Sequence, residues 1–371
     1  MRIAYGVHGY GRGHATRALA VLTDLAERHS IQVFAGGDAR GPLRGSFPVE
    51  STPTLAFAHH SDGRRSSLRT LRKNLPLLRD LLLEGPLTTA VTAAIRDFAP
   101  DVVISDAEPW THWAAWRLGI PRIGFDHFGV LVHCRIPLPW PDRLKSVLDK
   151  GLYQLLMGAP ERTLVSSFFE APTRTRAVEV IPPLLRDSVL EVSASAGEHL
   201  LVYLNQGQAQ LGSALLNALA ATGREVRFYG SARRGREGNI VFRPAADRAF
   251  LEDLASSLAV VSTAGNQLVG EAIYYGKPLL VMPESCVEQR LNAAFVERLQ
   301  IGSQVPMRAL TGETLNAFLL HAPRFTANAR LLAADGRRAA VTHIERWLRE
   351  LPARAPAKPV PASSRPRLQG A

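Results

Sequence analysis

Cysteine is almost missing from the 371 residues, with Cys134 and Cys286 the only two. That excludes a disulfide framework and a cysteine-based zinc site. Long apolar runs are missing too: no stretch approaches the roughly 20 residues that cross a bilayer. The opening "MRIAYGVHGYGRGH" reaches glycine and charge before the apolar core of a secretory leader could form. A cytoplasmic protein is therefore expected, soluble or peripheral on the inner face of the membrane. Acidic residues are in deficit, 33 Asp plus Glu against 44 Lys plus Arg. Such an excess suits nucleotides, nucleic acid or an acidic membrane surface, although an arginine-rich composition throughout would also produce it. In the basic stretch "GRRSSLRTLRKNLPLLRDLLLEG" no aromatic residues are interleaved with the charges, which argues against nucleic acid as a partner. No Asp-x-Asp pair occurs. His59, His60, His112, His127 and His133 show no tight ligand spacing with carboxylates, so no metal site is expected.

What is present is a globular balance, 46% apolar and 21% charged, over a length that suits two domains. Short apolar runs alternate with longer helical patterns, which reads as βα units on parallel sheets. The strands are "RIAYGV", "IQVFAGG", "DVVISD" and "RIGFDH", then "HLLVYLN", "EVRFYG", "NIVFR", "LAVVST" and "PLLVMP". Helical patterns cover Thr16–Arg28, Gly212–Thr222, Ala249–Ser256, Leu268–Tyr275 and Glu288–Leu299. Between the two sets, "VIPPLLRDSVLEVSASAGEH" (Val180–His199) reads as a linker. We expect a first domain over 1–185 and a second over 198–337, with a terminal amphipathic helix over 338–351 packing back on the first. The Pro-rich tail 352–371 carries no acidic residue and is expected to be disordered. Ligands of open α/β sheets bind at the C-terminal ends of the strands, so chemistry belongs on the loops that follow them.

Two such loops carry unusual residues. In "YGVHGYGRGHATRALAVL" (Tyr5–Leu22) a glycine-rich strand-to-helix turn offers bare backbone amides, as phosphate-binding turns do. The dinucleotide fingerprint G-x-G-x-x-G fails: Gly9 and Gly11 fit, but His14 takes the third position. Gly9, Gly11 and Gly13 would let a donor phosphate or an acceptor approach closely. Arg12 among them either balances phosphate charge or is simply solvated. In Ser262–Gly302, Thr263, Ala264, Gly265 and Asn266 follow a strand and open a helix, whose free N–H groups suit a diphosphate. Glu271, two turns on, would face the same cleft, and Glu288, Gln289 and Asn292 begin the next helix at its edge. The plain alternative is an ordinary βα unit with a capped helix and an exposed glutamate.

The second segment resembles the donor-binding region of GT-B glycosyltransferases, in particular UDP-glucuronosyltransferase-like enzymes and the lipid II-forming GlcNAc transferases of bacteria. Gly265, Glu271, Ala272, Gly276, Pro278, Pro283, Glu288, Gln289, Asn292 and Ala293 match the pattern over about 30 residues. The resemblance implies an α/β GT-B fold, two Rossmann-like αβα domains facing a central cleft. It also implies that Glu271 holds the ribose hydroxyls, the Gly265 turn the diphosphate, and Glu288 with Gln289 the sugar. Thr263 stands where many relatives have histidine. "GRGHATRALAVL" is similar to the N-terminal G-H-x-x-(P/R) pattern of the same superfamily. There the histidine deprotonates the acceptor hydroxyl, oriented by an aspartate that matches Asp106 of "PDVVISDAEPW". Without the resemblance, His14 and Asp106 would read as helix caps.

The expected activity is thus an inverting, metal-independent glycosyltransferase with no cofactor, using a nucleoside-diphosphate sugar, a UDP-sugar above others. The G-x-G-H-x-x-R variant, with Arg17 in place of proline, also resembles a group that includes a nucleotide-sugar hydrolase of pseudaminic acid synthesis. A hydrolase or 2-epimerase on the same fold therefore stays open, as does a catalytically silent sugar-nucleotide-binding protein. His127 and His133 in "FDHFGVLVHC" are placed on the acceptor side, or else at the core edge. "GRRSSLRTLRKNLPLLRDLLLEG" carries Arg64, Arg65, Arg69, Arg72, Lys73 and Arg79 among leucines. It reads as a contact over 64–79 for an anionic membrane surface, or as a buried leucine face with a solvated basic one.

Overall fold

Fourteen strands, among the described residues, make two seven-stranded sheets. The structure is a computed structural model and describes residues 1–11, 13–58, 66–204, 207, 210–244 and 247–351. Arg12, His59, His60, Arg64, Arg65 and the tail 352–371 lie outside the described residues. In the first sheet, β1 (Arg2–Val7), β2 (Ser30–Ala35), β3 (Val49–Ser51), β4 (Val102–Asp106), β5 (Arg122–Asp126), β6 (Arg162–Ser166) and β7 (Val178–Ile181) are all parallel. Their order is 3-2-1-4-5-6-7. Apolar runs such as "IAYGV" and "VVIS" form the central strands because helices cover both faces, so neither face has to be polar.

The second sheet contains β8 (Leu200–Tyr203), β9 (Val226–Tyr229), β10 (Gly235–Glu237), β11 (Ile240–Phe242), β12 (Ala259–Ser262), β13 (Leu279–Val281) and β14 (Gly302–Gln304). Its order is 10-11-9-8-12-13-14, and only β10 runs antiparallel to its neighbour. In each sheet the order reverses direction beside the first strand, between β1 and β4 and between β8 and β12. Crevices at the carboxyl ends of such strands are where open α/β sheets bind ligands.

The helix Gly13–Ala26 packs through Ala18, Val21, Leu22 and Leu25 on Ile3, Tyr5 and Ile104, and the terminal helix Arg337–Glu350 adds Ala340, Ile344 and Trp347 to that core. The opposite face of the first sheet, with Ala4, Phe34 and Val103, is covered from the helices Ser67–Leu82, Pro86–Phe98 and Pro109–Leu118. A further core joins the two halves: Val165, Phe168 and Phe169 pack with Ala264, Val269 and Leu291. Phe169 stacks on Phe295 with ring centroids 3.7 Å apart.

The first half of the expected linker, Val180–Leu190, is well packed, while residues 193–196 are exposed. Leu184, Leu185 and Val189 are fully buried. The Gly336 amide donates to the Pro183 carbonyl and the Tyr275 hydroxyl to that of Val189. A Cβ on Gly270 would lie 2.5 Å from Pro183 Cβ, so only glycine lets this segment approach the helix Asn266–Tyr274 so closely. The strands read from the sequence are all present, and the five helices lie within three residues of the expected bounds. β3, β6, β7, β10 and β14 were not anticipated.

Candidate functional site

The first half of the site is built where β1 and β4 lie side by side. Register places Val7 opposite Asp106, and the His8 amide donates to the Asp106 carbonyl at 3.0 Å. The chain then turns through the glycines. Gly9 is pinned by its surroundings, since a Cβ there would lie 2.5 Å from the Gly36 backbone. Gly11, at φ +80°, needs the conformational freedom that glycine has, and its amide donates to Asp38 at 3.1 Å. Gly13 opens the helix, and His14 and Arg17, three apart, share one face of it.

Both side chains meet Asp106. His14 Nδ1 lies 2.7 Å from Asp106 Oδ1, Arg17 Nε donates to Oδ2 at 2.7 Å, and Arg17 Nη2 donates to Oδ1. Asp106 is completely buried and Arg17 nearly so, whereas a quarter of the His14 side chain is exposed. With Nδ1–H directed at a carboxylate, His14 keeps its lone pair on Nε2. Burial opposes the charged form of Asp106, but Arg17 and His14 outweigh it and hold the carboxyl below its ordinary range. Burial likewise opposes the Arg17 cation, and Asp106 outweighs it, raising the arginine further. Asp106 does not cap the next helix. Ala107, at φ +51°, turns the chain so that Glu108 accepts from the amides of Trp110 and Thr111, at 3.3 and 2.7 Å.

Several residues that sequence reasoning missed surround this pair. His8 stacks edge-on against His14 with ring centroids 5.2 Å apart, and desolvation, reinforced by His14, pushes its imidazole down to about 3. Asp126, at the end of β5, accepts from the Tyr153 hydroxyl at 2.5 Å and from the Gly129 amide at 2.6 Å. Burial nevertheless raises its carboxyl. His133, which the sequence placed on the acceptor side or at the core edge, borders the same corner, edge-on to Tyr153 at 6.3 Å, with its basicity lowered by burial. The available signal was positional: Asp126, like Asp106, ends a strand next to the point where the strand order reverses.

The second half lies after β12. Thr263 and Ala264 are buried, Gly265 is half-buried, and the helix Asn266–Tyr274 begins without a side-chain cap. Its first amides therefore have no intrahelical partner, the arrangement that receives anions. Gln267 and Glu271, four apart, bond at 3.1 Å, and Arg186 lies 3.8 Å from Glu271. Asn266 Oδ1 and Gln267 Oε1 are buried acceptors without a partner. Glu288 is half-buried in the first turn of the helix Val287–Arg298, while the Gln289 side chain accepts from the Glu284 amide at 2.8 Å.

The two halves touch. A Cβ on Gly13 would lie 3.8 Å from that of Gln267, so the glycine turn faces the uncapped helix directly. His127 and Asn292 lie in a buried seam rather than on an open wall. His127 bonds the Ser166 carbonyl at 2.7 Å and Asn292 Oδ1 at 2.9 Å; Asn292 donates to Ala264 O at 2.9 Å, and Asn266 to Ser166 O at 3.3 Å. Among the described residues, no group of three or more His, Cys, Asp or Glu converges as metal ligands would.

The glycosyl transferase family 1 model matches residues 1–323. No curated protein matches the chain. Among solved structures, the glycotransferase of kitacinnamycin is similar at 18% identity and a TM-score of 0.67, over 95% of this chain and 99% of that one. The glycosyltransferase VinC, solved in complex with dTDP, is similar at 17% identity and 0.62, over 95% and 100%. Phytolacca americana UGT2, complexed with UDP-2-fluoro-glucose and pterostilbene, follows at 15% and 0.63, over 94% and 99%. At such identities the likeness is one of fold.

Proposed function

The chain belongs to glycosyl transferase family 1 and has the GT-B fold of a glycosyltransferase, and on that premise we propose that it is an inverting enzyme that needs no metal. The donor is a nucleoside-diphosphate sugar, in our reading a UDP-sugar, and the acceptor carries a hydroxyl. His14 Nε2 takes the hydroxyl proton while Asp106 holds the ring through Nδ1. The freed oxygen forms a bond to the anomeric carbon as the bond from that carbon to the diphosphate oxygen breaks, and the nucleoside diphosphate leaves with the electron pair. The uncapped amides of the helix Asn266–Tyr274 take up the developing negative charge. The orphan acceptors of Asn266 and Gln267 suit sugar or ribose hydroxyls, with Glu271 beside them. Glu288 stands at the rim for the sugar. Solved relatives of the same fold hold dTDP and a UDP-sugar analogue, which supports this class of donor.

The observation that carries the reading is the 2.7 Å bond from partly exposed His14 to buried Asp106, on a turn that faces an uncapped helix N-terminus. The test is nucleotide release from a panel of UDP-, dTDP- and GDP-sugars, with and without hydroxyl acceptors and a lipid extract, in the presence of EDTA. Release that requires an acceptor and yields the inverted anomer is the expected result. Free sugar formed at full rate in water alone would make the enzyme a hydrolase, and loss of turnover in EDTA would end the metal-free mechanism.

A further inference from the structure

One helix presents a different face to each side. The helix Trp140–Met157 buries Asp142, Ser146 and Met157 and packs Leu156 on the core, with Lys145 and Tyr153 half-buried. Asp142 accepts from Arg290 Nε at 2.7 Å, Lys145 donates to the Ser285 carbonyl, and Tyr153 binds Asp126 beside the site. Outward, Trp140, Leu144, Val147, Leu148, Leu152 and Leu155 are 48–76% exposed. Their spacing of three and four is one stripe of a helix. Polar residues normally fill such a face, and a contiguous apolar stripe of this kind marks a binding surface. The neighbouring Trp116 is half exposed. In the same helical layer, Ser67–Leu82 turns Leu77 and Leu81 to the core and leaves Leu68, Leu71 and Leu75 out. The leucine face of that segment is thus only partly buried.

The charges that accompany these stripes are predominantly basic, with half-buried Asp149 an exception beside the first. Arg143 and Lys150 flank the first, and Arg69, Arg72 and Lys73 the second. Asp142 is buried in its pair with Arg290, and Asp80 is occupied by Thr88. A second copy of this chain seated on the stripe would set two predominantly basic faces against each other, which disfavours self-association. We propose that this layer docks on an anionic lipid bilayer, with the leucines and Trp140 in the interfacial region and the arginines and lysines on the headgroups. No described helix is long and apolar enough to cross a membrane, so the contact is interfacial. The catalytic corner then lies one helix thickness, about 10 Å, from the lipid. Resting on the function proposed above, this favours an acceptor hydroxyl carried on a lipid.

The experiment is sedimentation of the full chain with vesicles of neutral phosphatidylcholine, and of the same lipid with about a third phosphatidylglycerol, at low and high salt. Wild type should sediment with the anionic vesicles only, and less in high salt. Leu144→Glu with Leu148→Glu, at exposed positions that leave the core untouched, should weaken binding about tenfold or more. Arg143→Glu with Lys150→Glu should do likewise, while UDP binding by calorimetry stays unchanged in both. Failure of wild type to bind anionic vesicles overturns the proposal, as does undiminished binding by the leucine variant. A wild-type dimer that this variant splits would assign the stripe to a second copy instead. None of these readouts uses turnover, so the catalytic reading stands or falls separately.

Discussion

The two sheets place their site residues at equivalent points, but they use different chemistry there. At the edge of the first sheet the groups are ionisable and, His14 apart, deeply buried: Asp106 shared by Arg17 and His14, with Asp126 and Glu108 close behind. At the edge of the second, most are neutral: backbone amides of an uncapped helix, Asn266, Gln267, Gln289 and Asn292, with Glu271 the one buried acid. The difference follows from the tasks proposed for them. Moving a proton needs a titratable group in a defined tautomer, and such a group must be paired when it is buried. Accepting a diphosphate needs fixed dipoles that pay no reorganisation during reaction.

The sharpest test of that division is His14→Ala. It should lower turnover about a thousandfold, some 4 kcal/mol, while leaving nucleotide affinity intact. Activity retained at a few tenths of wild type would break the assignment of proton chemistry to the first sheet. Next comes the cost of the buried charges. Arg17→Met, which leaves Asp106 buried with only His14, should destabilise by about 3–5 kcal/mol in urea melts, and adding Asp106→Leu should recover part of the loss. If the double variant is as unstable as the sum of the singles, Arg17 and Asp106 are not coupled as their contact indicates.

Because the first sheet carries the titrating groups, it should also carry the pH dependence. Burial lifts Glu108 from 4.5 to about 7. A carboxyl raised on folding keeps its proton in the native state between those values. Its contribution to stability is therefore present at low pH and is lost as pH rises through that window. Glu108→Gln should remove the slope, up to about 3 kcal/mol between pH 4.5 and 7.5 relative to wild type. Equal pH profiles would show Glu108 ionised throughout. The smallest expected effect belongs to the second sheet. Glu271→Ala should weaken nucleotide affinity about tenfold, near 1.4 kcal/mol, with little change in kcat at saturating donor. Unchanged affinity would remove the ribose role.

Much of this was legible in advance where chemistry and local pattern coincide. His14 and Asp106, 92 positions apart, were paired through the resemblance to glycosyltransferases, and the structure places them in contact. The uncapped start of Asn266–Tyr274 was visible in the run Thr263–Asn266. Arg17 was seen only as a replacement for proline. Its pairing depends on Asp106 lying across a strand gap, which no local pattern encodes. His127 read as either an acceptor-side or a core-edge residue and Asn292 as a cleft-edge one; both are buried in a seam, because burial depends on how the two halves close together. β3, β10 and β14, of three residues each and largely polar, carry too little periodicity to announce themselves. The segment Val180–His199 looked like a linker because prolines and small residues resemble one, whereas Leu184 joins the core of the first sheet and Leu185 and Val189 the core shared with the second half.

By itself, then, the order of residues determined the βα rhythm, the glycine turn with His14, the helix start at Asn266 and the excess of positive charge, since each depends on neighbours a few positions apart. Only the tertiary structure decided that Arg17 and His14 share one carboxylate, that Glu108 rather than Asp106 caps its helix, and that the outer leucines of Trp140–Met157 stay uncovered. Each of these turns on which surfaces meet when strands distant in sequence pair and the two sheets close on each other. Burial and partnership are properties of that meeting, and no short stretch of chain contains them.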